Sequence, residues 1–152
     1  MGDDRRAVRG MVARFRALPL ADRRLFLEAL PIVWVARLGL WLVPFRILQD
    51  VALRVAKARR GAPEPAPGDA ERVGWAVSSA ARFAPRATCL TQALAAEALL
   101  RRRGHPVNVR LGVAREDDGR FLAHAWVVSH GRVVVGDHEL GRYAPLSARR
   151  EP

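Results

Sequence analysis

The sequence predicts an α+β domain in which a helix bearing the chain's one cysteine packs on an antiparallel meander, with a helical region ahead of it. Three observations carry that prediction. Residues 89–103 are rich in Leu and Ala, hold no Gly or Pro, and stop at Gly104. Residues 107–135 change to a period of two, punctuated by the turn signals "EDDG" and "HG". Residues 18–58 instead repeat apolar side chains at helical spacing.

The elements follow in order, with residues 1–60 as an N-terminal helical region, 61–70 as a linker and 71–152 as the core. Asp22 is a candidate N-cap ahead of Leu25, Leu27, Ala29 and Leu30. Pro31 and Pro44 are expected to break the region into two or three helices. The last of these, "FRILQDVALRVAKARR", puts Ile47, Leu48, Val51, Val55 and Ala58 on one side. Prolines 63, 65 and 67 in "GAPEPAPGDAE" read as an extended linker. Asp69 then caps a helix running to about Phe83, which Pro85 terminates. Thr88 is a natural N-cap with Cys89 in the first helical position, and Arg101–Arg103 complement the dipole in the last turn. Val107, Val109, Leu111 and Val113 alternate with Asn108, Arg110 and Gly112 in a first strand. A second strand, "RFLAHAWVVS", shows Leu122, His124, Trp126 and Val128 on one face. The turn His130–Gly131 leads to a third strand, "RVVVGD".

Composition excludes several classes. With 152 residues, half of them hydrophobic, the chain can bury a real core. One cysteine forbids an internal disulfide and suits a reducing cytoplasm. No Cys/His spacing matches zinc and no Gly-rich loop matches a phosphate, so neither metal nor cofactor is expected. The net charge is +11, with 13 basic and 5 acidic residues in 1–62. Nearly all the basic residues are Arg and they are scattered, which reads as a solvated surface with no nucleic-acid motif. The start "MGDDRRAVRGMVARFRALPL" has no apolar signal region. The run "ALPIVWVARLGLWLVPFRIL" is interrupted by Pro31, Arg37, Pro44 and Arg46, short of the roughly 18–20 apolar residues of a span. It reads as core plus a partner-docking surface, with peripheral membrane contact the less favoured use.

Chemistry concentrates on three residues. A lone cysteine among apolar residues is most often core. At the first turn of a helix, however, free N–H groups and the positive dipole end favour a thiolate and can hold an oxyanion. His124, between alanines in an apolar strand, needs a polar partner if buried and is the candidate base. The His130–Gly131 turn pairs residues summing to 260 or 261, which sets His124 opposite 136–137. Asp137 is thereby the candidate orienter of the imidazole. His105 lies at the far pole of the cysteine helix, His130 in a turn, and His138 on the opposite side by alternation. A metal site from 124, 137 and 138 matches no common spacing.

The order Cys, His, Asp is that of papain-like and transglutaminase-like thiol enzymes. More narrowly, "CLTQALAAEALLRRRGHPVNVRLGV", "AHAWV" and "VVVGD" resemble the leader peptidases of lasso-peptide biosynthesis, closely over about residues 86–140 and loosely over the N-terminal helices. The resemblance implies a transglutaminase-like core with Cys89 as nucleophile, His124 as base and later acid, and Asp137 as orienter. Trp126 would line or brace the substrate site. It also implies a cytoplasmic hydrolase that cuts the leader from a ribosomally made precursor, before a separate cyclase closes the macrolactam. Only helical sequence precedes the linker, so the chain resembles the split type, whose partner is a discrete leader-recognition protein. No Gln precedes Cys89 as in papain-like enzymes, so one oxyanion donor is the Cys89 N–H and the second is unassigned. Two alternatives remain open: acyl transfer to an amine in place of hydrolysis, and a non-catalytic module binding a partner or membrane.

Overall fold

The computed structural model describes residues 10, 12–44, 46, 47, 50, 54, 65–138 and 140–146. Among the described residues, a helical stretch at 12–17 is followed by α1 (Leu20–Leu42), α2 (Asp69–Ala81) and α3 (Cys89–Arg102), and then by a four-stranded antiparallel sheet that begins with β1 (Asn108–Arg115), β2 (Phe121–Ser129) and β3 (Arg132–Val135). A 3₁₀ turn (Leu140–Arg142) leads into the short β4 (Ala144–Pro145). The sheet order is β3-β2-β1-β4, so the expected meander gains a fourth strand, paired to β1 through Gly112 and Val113. Two residues ending in Pro carry too little period to be read as a strand.

α1 is one helix, not two, because Pro31 sits within it. Its missing N–H falls on the exposed side, where water can take up the freed carbonyl. Pro44 does end the helix, after an extended Val43 whose N–H bonds the Gly39 carbonyl at 2.8 Å. Neither predicted aspartate is an N-cap. Pro19 precedes α1, and Asp22 lies in its first turn, accepting from Arg72 Nε of α2 at 2.8 Å. Gly68, at φ 80°, precedes α2, and Asp69 opens it, 3.1 Å from His105 Nε2. Both carboxylates are drawn to long-range partners in preference to the local backbone. Of the expected third helix, Leu48, Val51, Val55 and Ala58 lie outside the described residues, as do linker positions 61–64.

α2 and α3 pack on one face of the sheet, and α1 packs in turn on α2 and α3. Leu25, Ala29 and Val33 of α1 meet Val73, Ala76, Val77 and Ala80 of α2. Ala93, Ala96, Leu99 and Leu100 of α3 complete the cluster over Ala125, Val127 and Val135 of the sheet. Alanines at these contacts let the helix axes approach closely, and burying each Leu or Val contributes about 1.5–3 kcal/mol. α1 therefore shares its core with the sheet-bearing part.

The β2–β3 hairpin turns through His130 and Gly131, both at positive φ, as a two-residue primed turn requires. Its register starts as expected, Ser129 with Arg132 and Val128 with Val133. It then slips by one residue, Val127 pairing Val135, so that Val134 is a bulge. α2 packs directly on that bulge: a Cβ on Gly74 would lie 2.0 Å from the Val134 carbonyl oxygen. At the other end of the strand pair, Glu71 of α2 bonds Arg132 at 3.2 Å. The hydrogen bond from its own backbone N–H, and then the Arg132 guanidinium, hold the Glu71 carboxyl below the usual range.

Candidate active site

Cys89 occupies the first position of α3, half-buried and free. Thr88 is its N-cap, as expected. The Thr88 hydroxyl accepts from the Thr91 N–H at 3.3 Å, while the Thr91 hydroxyl accepts from the Thr88 N–H at 3.3 Å. This reciprocal box fixes the first turn. The N–H groups of Cys89 and Leu90 have no acceptor within the helix and point out of its end. The thiol thus sits on the rim of a rigid, donor-rich helix terminus, with Leu94, Leu99 and Leu100 anchoring the body of α3 in the core.

His124 comes from the part of β2 that extends past the end of β3. Its Nε2 lies 2.8 Å from the carbonyl oxygen of Gly136. A carbonyl only accepts, so Nε2 carries the proton and Nδ1 of the neutral ring is left with the lone pair. The ring is stacked against Tyr143 (centroids 4.9 Å apart) and Trp126 (6.1 Å apart). Gly136 is the residue the position demands: its φ is 79°, and a Cβ would stand 2.7 Å from the Ala125 carbonyl oxygen. Close backbone approach there is what brings the Gly136 carbonyl under the imidazole.

Cys89 and His124 line one cavity of about 480 Å³. The last turn of α2 supplies Ser78 and Arg82 to its wall, α3 adds Gln92, and the end of β3 adds Gly136 and Asp137. Asp137 is therefore brought to the site, but its carboxylate does not meet His124. Its Oδ1 lies 3.2 Å from Nδ1 of His138, and the side chain is 74 % exposed. The reason is the Val134 bulge together with the end of β3 at Val135, which removes the ladder position opposite His124 on which the register estimate relied. Trp126, expected to line or brace the site, is outside the cavity lining: it is buried and stacks on the imidazole from the same face of β2, close over Gly112.

Three participants had been missed. Gln92 stands three residues beyond Cys89, a spacing that puts both on one helix face and was readable from the sequence. Tyr143 and the Gly136 carbonyl had no local signal, since each acts across the fold. The other histidines form a separate cluster. His105 is buried with Nε2 on Asp69 and Nδ1 3.1 Å from His130 Nε2, tying the start of α2 to the hairpin turn. Among the described residues no group of three His, Cys, Asp or Glu side chains is arranged to hold a metal ion.

A half-buried thiol at a helix start, a histidine with a free Nδ1 in the same cavity, and helices stacked on an antiparallel sheet form the arrangement of a cysteine-based acyl-transfer site. The family model described as the transglutaminase-like superfamily matches residues 34–148. No curated protein and no solved structure matches the chain. The matched span takes in the end of α1, all of α2 and α3, the whole sheet and every residue of the cavity, and the chain belongs to the transglutaminase-like superfamily.

Proposed function

We propose that this chain is a cysteine peptidase that removes the leader from a ribosomally made lasso-peptide precursor, acting in the cytoplasm with a discrete leader-recognition protein. The observation that carries the chemistry is the shared cavity of Cys89 and His124. The superfamily includes cysteine peptidases and acyltransferases, and the motifs "CLTQAL", "AHAWV" and "VVVGD" favour the leader peptidases among them.

In the proposed reaction Nδ1 of His124 takes the thiol proton, and the Cys89 sulfur attacks the carbonyl carbon of the last leader residue. The Cys89 N–H and the Gln92 side-chain amide donate to the resulting oxyanion. His124 returns the proton to the departing amine, which becomes the N-terminus of the core peptide and the nucleophile that a separate cyclase uses. Water then attacks the thioester with His124 as base, releasing the leader carboxylate and the thiol. The Gly136 carbonyl holds the ring, and Asp137 lines the same cavity.

The test is cleavage of a precursor peptide with the recognition protein present. Wild type should release the leader as a free carboxylic acid, and Cys89→Ala should release none while unfolding at the wild-type temperature. Undiminished cleavage by Cys89→Ala would end the proposal. A leader product joined to an added amine, seen by mass as the absence of the water gained in hydrolysis, would assign acyl transfer instead.

A further inference from the structure

α1 has two faces of different character. Leu25, Ala29, Val33 and Ala36 are buried in the shared core. The opposite face carries Leu20, Leu27, Trp34, Val35, Leu38, Trp41 and Leu42, all exposed, with Trp41 at 78 % and Leu42 at 75 %. From Leu20 to Trp41 this stripe runs about 32 Å along the axis. Soluble chains rarely leave so much contiguous apolar surface to water.

Charge distinguishes the face further. The two acidic residues of α1 are both turned toward the other helices. Asp22 is held by Arg72, and Glu28 is held by Arg103 at 2.9 Å with Arg102 at 3.7 Å. Arg24 is exposed on the outer side, Arg14 and Arg16 are exposed ahead of the helix, and Arg46 is exposed after it. The outer face is thus apolar and cationic, with aromatic residues toward one end and no carboxylate within α1 directed to it.

We infer that the outer face of α1 docks on an anionic lipid bilayer, lying in its interface. Leu, Val and Trp on one side of a helix with flanking Arg is the composition that partitions into the headgroup–acyl boundary, and the arginines add attraction to acidic lipids. α1 is long and apolar enough to cross a membrane, with a mean hydropathy of 1.7 over an 18-residue window. Crossing would nevertheless strip Leu25, Ala29 and Val33 from the core and expose Asp22 and Glu28 to hydrocarbon. A second copy is a poorer occupant: Arg24 and Pro31 interrupt the stripe, and each copy carries a net charge of +11.

The experiment is co-sedimentation of the full chain with vesicles, alongside sedimentation velocity without them. Binding to phosphatidylcholine vesicles holding about 30 mol% phosphatidylglycerol should exceed binding to pure phosphatidylcholine by about tenfold or more, with a blue shift of tryptophan emission. The double variant Leu38→Glu/Trp41→Glu changes only exposed positions, so it should keep the wild-type circular dichroism and lose at least about tenfold in binding. Wild type remaining in the supernatant with the anionic vesicles would overturn the inference. So would equal binding by the double variant, which would assign the attraction to arginines alone, or a wild-type dimer that the double variant abolishes.

Discussion

The Nε2–H of His124 donates to the Gly136 carbonyl at 2.8 Å, so a backbone group orients the imidazole and the lone pair of the neutral ring is left on Nδ1. The neighbouring Asp137 carboxylate is engaged with His138. In the proposed reaction, the ring is thus oriented by a backbone carbonyl and not by the carboxylate beside it. Asp137→Asn should lower kcat/KM by about 10- to 100-fold, because the wrong-tautomer penalty of a lost orienting carboxylate does not arise while Gly136 holds the ring. Steady-state cleavage kinetics check this. A loss as complete as that of Cys89→Ala would show that Asp137 swings onto His124 during turnover.

Gln92 shares the cavity wall with Cys89 and is the candidate second oxyanion donor. Gln92→Ala is expected to lower kcat by about 10²–10³ with little change in KM. The rate of Cys89 alkylation by iodoacetamide should stay at the wild-type value, since the amide acts on the oxyanion and not on the sulfur. Parallel losses of both rates would make Gln92 a support for the helix end and not a donor.

Tyr143 stacks on the face of His124 at 4.9 Å from the short 3₁₀–β4 segment. Aromatic pairs of this kind contribute about 0.5–1.5 kcal/mol beyond area burial. Tyr143→Phe should therefore preserve activity, while Tyr143→Ala should reduce kcat several-fold by loosening the ring. Comparing kcat for the two variants separates stacking from any role of the hydroxyl.

Gly74 faces the bulge at Val134 so closely that a methyl group would stand 2.0 Å from a backbone oxygen. Neither a helix backbone nor a bulged strand yields cheaply. Gly74→Ala should cost about 3 kcal/mol, toward the upper end for an overpacked core. That corresponds to a fall of roughly 6–12 °C in Tm, measurable by calorimetry. A change under a degree would mean that α2 can slide off β3 without loss.

Most of the fold was legible because its signals are local. The Thr88 cap, the Ala/Leu run that follows and the Gly104 stop are read within one helix. The His130–Gly131 turn and the strand alternation are read within one hairpin. The errors share a cause. Asp22 and Asp69 looked like caps, yet Arg72 and His105, some 50 and 36 positions away, took their carboxylates. Pro31 looked like a break, yet one helix continues through it, with Leu25, Ala29 and Val33 in the core.

The sequence by itself determined the α+β class, the start of the cysteine helix at Cys89 and the strand that carries His124, since capping and periodicity depend on a few neighbouring residues. Only the tertiary structure decided what orients His124. A single extra residue at Val134 shifts the register, β3 ends one position later, and close packing of Gly136 on β2 presents a carbonyl where pairing rules had placed a carboxylate. That outcome depends on helix α2 pressing on the bulge and on Tyr143 closing over the ring, contacts between segments far apart in the chain that no local pattern encodes.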